Sequence, residues 1–343
     1  MSATGETSGR TDGRRRAAVM TDVAKRAGVS HQTVSRVING SPQVREATRQ
    51  RVLAAMQELH YRPNSAARAL VTGRSRTLGV VSFDTTLYGP ASTLYAVERA
   101  AHDAGYYITI VSLEALDRAS VLSAVERLRM QGVDGILVIA PLEGSGEALL
   151  ALPRDIPLVA VEAGPANALP VVAVDQFAGA ALATQHLLDL GHPTVAHVAG
   201  PADFLEAAQR VAGWQSTLEA AGAEVPPVLW GDWSPRSGYE LAQRLIGSAS
   251  AIFVANDQMA LGVLRALHEA GLEIPREVSV VGFDDIPEAQ YFTPPLTTVR
   301  QDFGEIGRRS VRLMLSMIES EDEAPSPPLV APELVERSSA GPR

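Results

Sequence analysis

From Thr77 onward the chain alternates short apolar runs with stretches of helical periodicity, and this alternation narrows the fold more than any other feature. The runs are LGVVSF (78–83), YYITIVS (106–112), GILVIA (135–140), IPLVAVE (156–162) and VVAVD (171–175), then VAHVAG (195–200), AIFVAND (251–257) and VSVVGFDD (278–285). Helical patterns fall between them near 90–105, 120–131, 184–191, 207–221 and 258–270. Strands apolar at every position are buried on both faces, as in parallel sheets sheathed by helices. The pattern comes in two sets, so two similar lobes are expected, each a doubly wound parallel sheet. Such sheets bind ligands beyond the carboxyl ends of their strands. The polar residues at those ends are Asp84, Glu162, Asp175, Asn256, Asp257, Asp284 and Asp285.

The amino-terminal part follows other rules. TDVAKRAGVSHQTVSRVIN (21–39) reads as two short helices, near 21–27 and 31–37, joined by a tight turn at Gly28. Glycine allows the positive φ that ends the first helix, and Ser30 is placed to cap the second. Val23, Ala24 and Ala27 share one face, as do Val34, Val37 and Ile38. The polar side of the second helix carries His31, Gln32, Thr33, Ser35 and Arg36, side chains that can reach base edges in a major groove. A third helix is expected near 45–59, with Ala47, Val52, Ala55, Met56 and Leu59 on its apolar face. The basic, Ala-rich SAARALVTGRS that follows is too short for a stable free helix and is suited to fold on contact with DNA.

Charge supports this division. Residues 1–76 hold 14 Lys and Arg against 5 Asp and Glu; the rest hold 16 against 34. A basic head on an acidic body suits nucleic-acid contact at one end only. Residues 1–18, with Arg14, Arg15 and Arg16, have no periodicity and read as a disordered basic arm.

Other classes fit poorly. There is no apolar run near membrane length and no apolar core of a signal peptide, so a cytoplasmic protein is expected rather than an exported binding protein. There are no cysteines, so no disulfide or thiolate metal site. No phosphate-binding loop, GxGxxG after a first strand, GxSxG or HExxH occurs. A carbohydrate-processing enzyme, whose paired carboxylates would have to sit at the cleft, is the rival from a different class. Neither cofactor nor metal is expected.

The motifs DVAKRAGVSHQTVSRVIN, YRPN, TQHLLDLGH, HVAGP, RVAGW, GDWS, FVANDQMALG, VSVVGFDD and PPLTTVRQDF, in this order, resemble the LacI/GalR family of bacterial transcription regulators. The resemblance implies an all-α helix–turn–helix head and hinge helix on an α/β core of two periplasmic-binding-protein-like lobes. It implies a disordered arm (1–18), a DNA-binding domain (19–62), a hinge and linker (63–76) and an effector-binding, dimerising core (77–340). Within the core, one lobe takes about 77–174 and 303–329, the other about 175–300 and 330–340.

On the DNA side it implies base reading by His31, Gln32 and Arg36. Phosphate or sugar contacts fall to Thr33, Ser35 and Asn39, and Leu70 of the hinge would wedge into the minor groove. His31 stands in place of the Tyr of one family member that this chain resembles, so its operator is expected to differ. On the effector side it implies Arg210, Asn256 and Asp284 as polar ligands of a sugar, a galactoside or another glycoside. An Arg fork or a carboxylate can each engage two vicinal hydroxyls. Trp233 and Phe303 offer flat faces to a pyranose, and Leu87, Pro90, Glu162 and Gln301 fall on pocket positions. Structural alternatives stay open: helix caps for Asn256 and Asp284, plain core for Trp233, an ordinary linker residue for Leu70. Four positions depart from that same relative: Ile139 in place of Asn, Val174 in place of Phe, and Phe83 and Glu206 each in place of Ser. The implied function is a repressor released as a homodimer from a palindromic operator of double-stranded DNA by the sugar. Co-repression or activation is the alternative. No leucine heptad follows LVAPELVERSSAGPR, so a dimer without a tetramerising bundle is expected.

Overall fold

The computed structural model describes residues 18–38, 41–62, 73–113, 117–141, 149, 152–163, 169–320 and 325–343. The chain divides into two compact units, Met1–Ser75 and Arg76–Arg343.

The described part of the first unit has three helices: α1 (Met20–Ala27), α2 (His31–Ile38) and α3 (Glu46–Glu58). Gly28 ends α1 at φ 63°, where a side chain would be strained. The Ser30 hydroxyl accepts the Thr33 N–H at 3.1 Å, the cap that starts α2. Val23, Ala24, Ala27, Val34, Val37, Val52 and Ala55 form the core. Ala47, expected on the apolar face of α3, is exposed. Val52, Ala55, Met56 and Leu59 follow i, i+3, i+4, i+7 spacing, whereas Ala47 precedes Val52 by five residues and lies off that stripe.

The second unit holds two sheets. The first joins β1 (Thr77–Phe83), β2 (Tyr107–Leu113), β3 (Gly135–Ile139), β4 (Leu158–Val161) and β5 (Val171–Val172) in the order β2-β1-β3-β4-β5, all parallel. Alternate strand residues serve opposite faces. Ile136 and Val138 pack with Val121, Val125 and Leu128 of α5 (Arg118–Met130). Leu137 and Ile139 pack with Val97 of α4 (Tyr88–Asp103) and with Ile306 and Met314 of α10 (Phe303–Ser320).

The second sheet joins β6 (Ala196–Ala199), β7 (Leu229–Trp230), β8 (Ala251–Val254), β9 (Ser279–Asp284), β10 (Thr297–Arg300) and β11 (Glu333–Val335) in the order β11-β10-β9-β8-β6-β7. Only β11 runs antiparallel to its neighbour there. Ile252 and Val254 face α8 (Pro235–Ala242) and α9 (Asp257–Glu269). Phe253 faces α6 (Gln176–Asp189) and α7 (Leu205–Ala220). The strand order reverses between β1 and β3 and again between β6 and β8, which places the ligand crevice of this fold class at those strand ends.

Several elements differ from those expected. The run 171–175 is a strand only over Val171–Val172, and Val174 makes a single bridge to Val330. The helix expected at 184–191 begins at Gln176, capped by Asp175, whose carboxylate accepts the Ala178 N–H at 2.9 Å. The elements β7, α8, β10, α10 and β11 had not been assigned from sequence.

Candidate functional site

A cavity of about 290 Å³ lies among the strand ends of the second unit. Leu87, Pro90, Glu162, Arg210, Trp233, Asn256, Asp284, Gln301 and Phe303 all line it, so each effector residue expected from the sequence reaches one place. Ile139 and Glu206, two of the four positions expected to depart from one relative, line it too; Phe83 and Val174 do not.

The polar wall is a closed ring of four side chains. Arg210 donates from Nε to Gln176 Oε1 at 2.9 Å. Gln176 donates from Nε2 to Gln301 Oε1 at 2.8 Å, and Gln301 from Nε2 to Asp284 Oδ1 at 2.6 Å. The ring closes where Arg210 Nη2 stands 3.7 Å from Asp284 Oδ1. Arg210 Nη1 also donates to the Ala255 carbonyl. All four residues are buried. A buried ion pair adds little net stability, because desolvation offsets the attraction. Its fixed geometry is better suited to presenting a carboxylate and a guanidinium to a ligand. Burial raises the Asp284 carboxyl to about 6, and Arg210 and Gln301 pull the other way.

Besides Asp284, the cavity is lined by Glu162, Glu206 and the exposed Asp232. Glu162 is raised to about 8, chiefly by burial and then by the charge of Glu206. Glu206, in the first turn of α7, is raised to about 7 by burial. One buried oxygen of each, Glu162 Oε1 and Glu206 Oε2, has no hydrogen-bond partner.

Aromatic faces form the apolar wall. Phe204 meets Trp233 edge-on at 5.7 Å and Tyr88 meets Phe303 edge-on at 5.8 Å. Trp233 rests against Gly200, where a Cβ would fall 2.2 Å from the indole. Glu162, Trp233 and Asp284 have φ of 51°, 70° and 105°. Strained backbone at three lining positions is a pattern found at binding sites.

The other strand-end polar residues have structural work. Asp84 binds Thr86, Asp175 caps α6, Asp257 accepts from Thr298 Oγ1 and the Ile286 N–H, and Asp285 pairs with Arg300 and Arg337. Asn256 both lines the cavity and caps α9: its Oδ1 accepts the Met259 N–H and its Nδ2 donates to the Trp233 carbonyl and to Gln258. The cap reading of Asn256 therefore holds alongside its place in the wall. Sequence reasoning missed Gln176, Phe204 and Tyr88. Gln176 had a signal, since Asp175 in the cap position makes it the first residue of a helix aimed at the strand ends.

In the first unit, His31, Gln32 and Arg36 are exposed on α2, and Thr33 and Ser35 are half-buried. Thr33 Oγ1 lies 2.9 Å from the Ser30 hydroxyl. Asn39, Leu70 and the hinge segment 64–71 lie outside the described residues. Among the described residues no group of His, Asp and Glu could hold a metal ion, and no helix is long and apolar enough to cross a membrane.

Comparison with known proteins agrees with both units. Residues 19–64 match the model of bacterial regulatory proteins of the lacI family, and residues 184–340 match a periplasmic binding protein-like domain. The lactose operon repressor of Escherichia coli (strain K12) is 35% identical over 300 residues, covering 86% of this chain and 83% of that protein. The transcriptional repressor PurR of Haemophilus influenzae is 34% identical over 333 residues, 94% of this chain and 98% of that one. Among solved structures, the lac repressor dimer bound to operator and the anti-inducer ONPF superposes with a TM-score of 0.84 at 33% identity, covering 95% of this chain and 100% of that one. The complex of the transcriptional regulator CelR with cellobiose gives 0.69 at 31% identity, covering 94% and 99%. These relatives are transcriptional repressors and regulators, not enzymes. An exposed polar face on a helix–turn–helix head and a ligand cavity at the strand ends of a two-sheet core are thus features of one known plan, and the chain belongs to the lacI family of bacterial transcriptional repressors.

Proposed function

We propose that this repressor binds a palindromic operator as a homodimer in the cytoplasm and is released when a sugar, galactoside-like or another glycoside, fills the cavity. The ring Arg210–Gln176–Gln301–Asp284 carries the reading. It fixes a carboxylate and a planar guanidinium side by side, each able to engage two neighbouring hydroxyls, while Trp233 and Phe303 offer faces to the C–H side of a pyranose. Asn256, Glu162, Leu87 and Pro90 complete the wall.

On DNA, His31, Gln32 and Arg36 read base edges and Thr33, Ser35 and Asn39 hold the backbone. Leu70, in the hinge after the head, wedges the minor groove. Two heads related by a two-fold axis require two half-sites.

A thermal-shift screen over mono- and disaccharides and purine bases, followed by operator binding with each hit, tests this. A sugar that stabilises the protein and lowers operator affinity is the expected result. A purine hit with no sugar hit overturns it.

A further inference from the structure

We propose that the effector carries a protonated amine, as an amino sugar does, held between the carboxylates of Glu162 and Glu206. This rests on the sugar reading of the cavity and narrows it.

The observation is a mismatch between acceptors and donors. Glu162 is 8% exposed, and its Oε2 accepts the Val174 N–H at 3.4 Å while Oε1 accepts nothing. Glu206 reaches the same cavity from the first turn of α7, with Oε2 buried and bare. Each bare oxygen forfeits hydration without a replacement, which folded proteins tolerate mainly where a ligand will complete the bond.

The cavity's own cation does not complete it. Among the described residues Arg210 is the one cationic side chain in the wall, against Glu162, Glu206, Asp284 and the exposed Asp232. Arg210 already spends Nε on Gln176 and Nη1 on the Ala255 carbonyl, and turns Nη2 to Asp284. The sequence holds no lysine after Lys25, so the core has no ammonium of its own to offer.

A sugar hydroxyl would supply a donor but no positive charge to favour the ionised carboxylates. An ammonium supplies three donors and a positive charge on a compact head, enough to serve both bare oxygens. The raised carboxyls agree with a site prepared for a cation: burial disfavours ionisation of both, the charge of Glu206 adds to this at Glu162 and that of Asp284 at Glu206, and a bound cation opposes these effects.

Calorimetry at fixed pH tests the inference with glucosamine, galactosamine and the β-1,4 disaccharide of glucosamine, against glucose, galactose, cellobiose, lactose and N-acetylglucosamine. The amino forms are expected to bind at least ten-fold more tightly than their neutral and N-acetylated partners. Glu206→Gln should erase that preference, read as the ratio of amino-sugar to neutral-sugar affinity in the same variant. Proton release on binding, read from the heat in buffers of different ionisation enthalpy, is expected for the amino forms alone. Neutral sugars binding as well as amino sugars would overturn the amine inference and leave the sugar reading standing, as would a preference that survives Glu206→Gln. Binding by neither set would overturn both.

Discussion

Arg210 lays its guanidinium over the ring of Phe283, with Cζ 3.8 Å from the ring centroid, so a cation of the cavity wall is backed by a fully buried aromatic face. The stacking fixes the plane of the fork that also meets Gln176 and Asp284. Lysine cannot stack flat, and its point-like ammonium lacks the rigid planar fork that meets Gln176 and Asp284 together. Arg210→Lys is therefore expected to lower effector affinity by an order of magnitude or more, since hydrogen bonds to charged groups are worth ~1.5–3 kcal/mol each. The operator should still be held, and the complex should ignore the effector. Calorimetry and gel shift on the same preparation check this; wild-type affinity in the variant would remove Arg210 from the ligand.

Gln176 links Arg210 to Gln301 in the ring. Gln176→Leu keeps the volume but leaves Arg210 Nε and Gln301 Oε1 without partners. Each buried group left unsatisfied costs ~1–3 kcal/mol. The thermal midpoint should drop by several degrees, at roughly 2–4 °C per kcal/mol for a unit of this size. An unchanged midpoint would mean that the ring is not held as a unit.

This ring also marks the limit of what the sequence makes legible. Apolar runs reveal parallel strands because burial on both faces leaves an unbroken signature, and their ends pointed to Glu162, Asn256 and Asp284. The short strand TTVR escaped because Thr297 and Thr298 are buried polar residues whose hydroxyls are satisfied within the fold. The helix Phe303–Ser320 did carry an amphipathic stripe, with Ile306, Ser310, Leu313 and Met314 inward. It went unassigned although its period was there to read. Gln176 and Gln301 are 125 residues apart, and no local pattern reports that two amides will meet. The head was the most legible part, because Gly28 and Ser30 punctuate it locally.

Gly200 offers a test of the aromatic wall. A methyl group there would sit 2.2 Å from the far edge of the Trp233 ring, and Trp233 already occupies a left-handed backbone position with little freedom to yield. Gly200→Ala should tilt the indole into the cavity and reduce effector affinity about ten-fold or more, while the overpacking costs ~1–3 kcal/mol. Titration followed by tryptophan fluorescence and by calorimetry checks it. Undiminished affinity would mean that the indole does not contact the ligand.

The raised carboxyls set a pH trend for the free protein. Glu162 and Glu206 ionise in the folded core at about 8 and about 7, against 4.5 for the free side chain. Between those values the folded state keeps protons that the unfolded chain has released, so stability falls as pH rises. Buried Asp257, also raised by desolvation, adds the same sign. His197 acts in the opposite sense but at lower pH. Burial lowers it from 6.5 to about 4, so its contribution is present above 6.5 and lost as pH falls toward 4. The window from 6.5 to 8 therefore belongs to the carboxyls. The melting temperature without ligand should decline across it, and Glu162→Gln should flatten the decline. A midpoint that rises from pH 6.5 to 8 would contradict the burial of both groups.

Induction requires that the cavity and the DNA-binding head sense one equilibrium. A ligand shifts two states only by its difference in affinity for them, so the coupling must appear at both ends. If the sugar weakens operator binding by some factor, the operator must weaken sugar binding by the same factor. Couplings of ~1–3 kcal/mol are usual, which is roughly 5–150-fold. Sugar titration by calorimetry with and without operator should show that factor in the wild type. In Arg210→Lys, which lacks the guanidinium fork, the factor is expected to shrink toward one even where sugar binding can still be measured. Equal sugar affinity with and without operator in the wild type would remove the coupling. Tighter sugar binding on the operator would reverse its sign and make the ligand a co-repressor, because reciprocity leaves no other way for DNA to strengthen the ring's hold on its ligand.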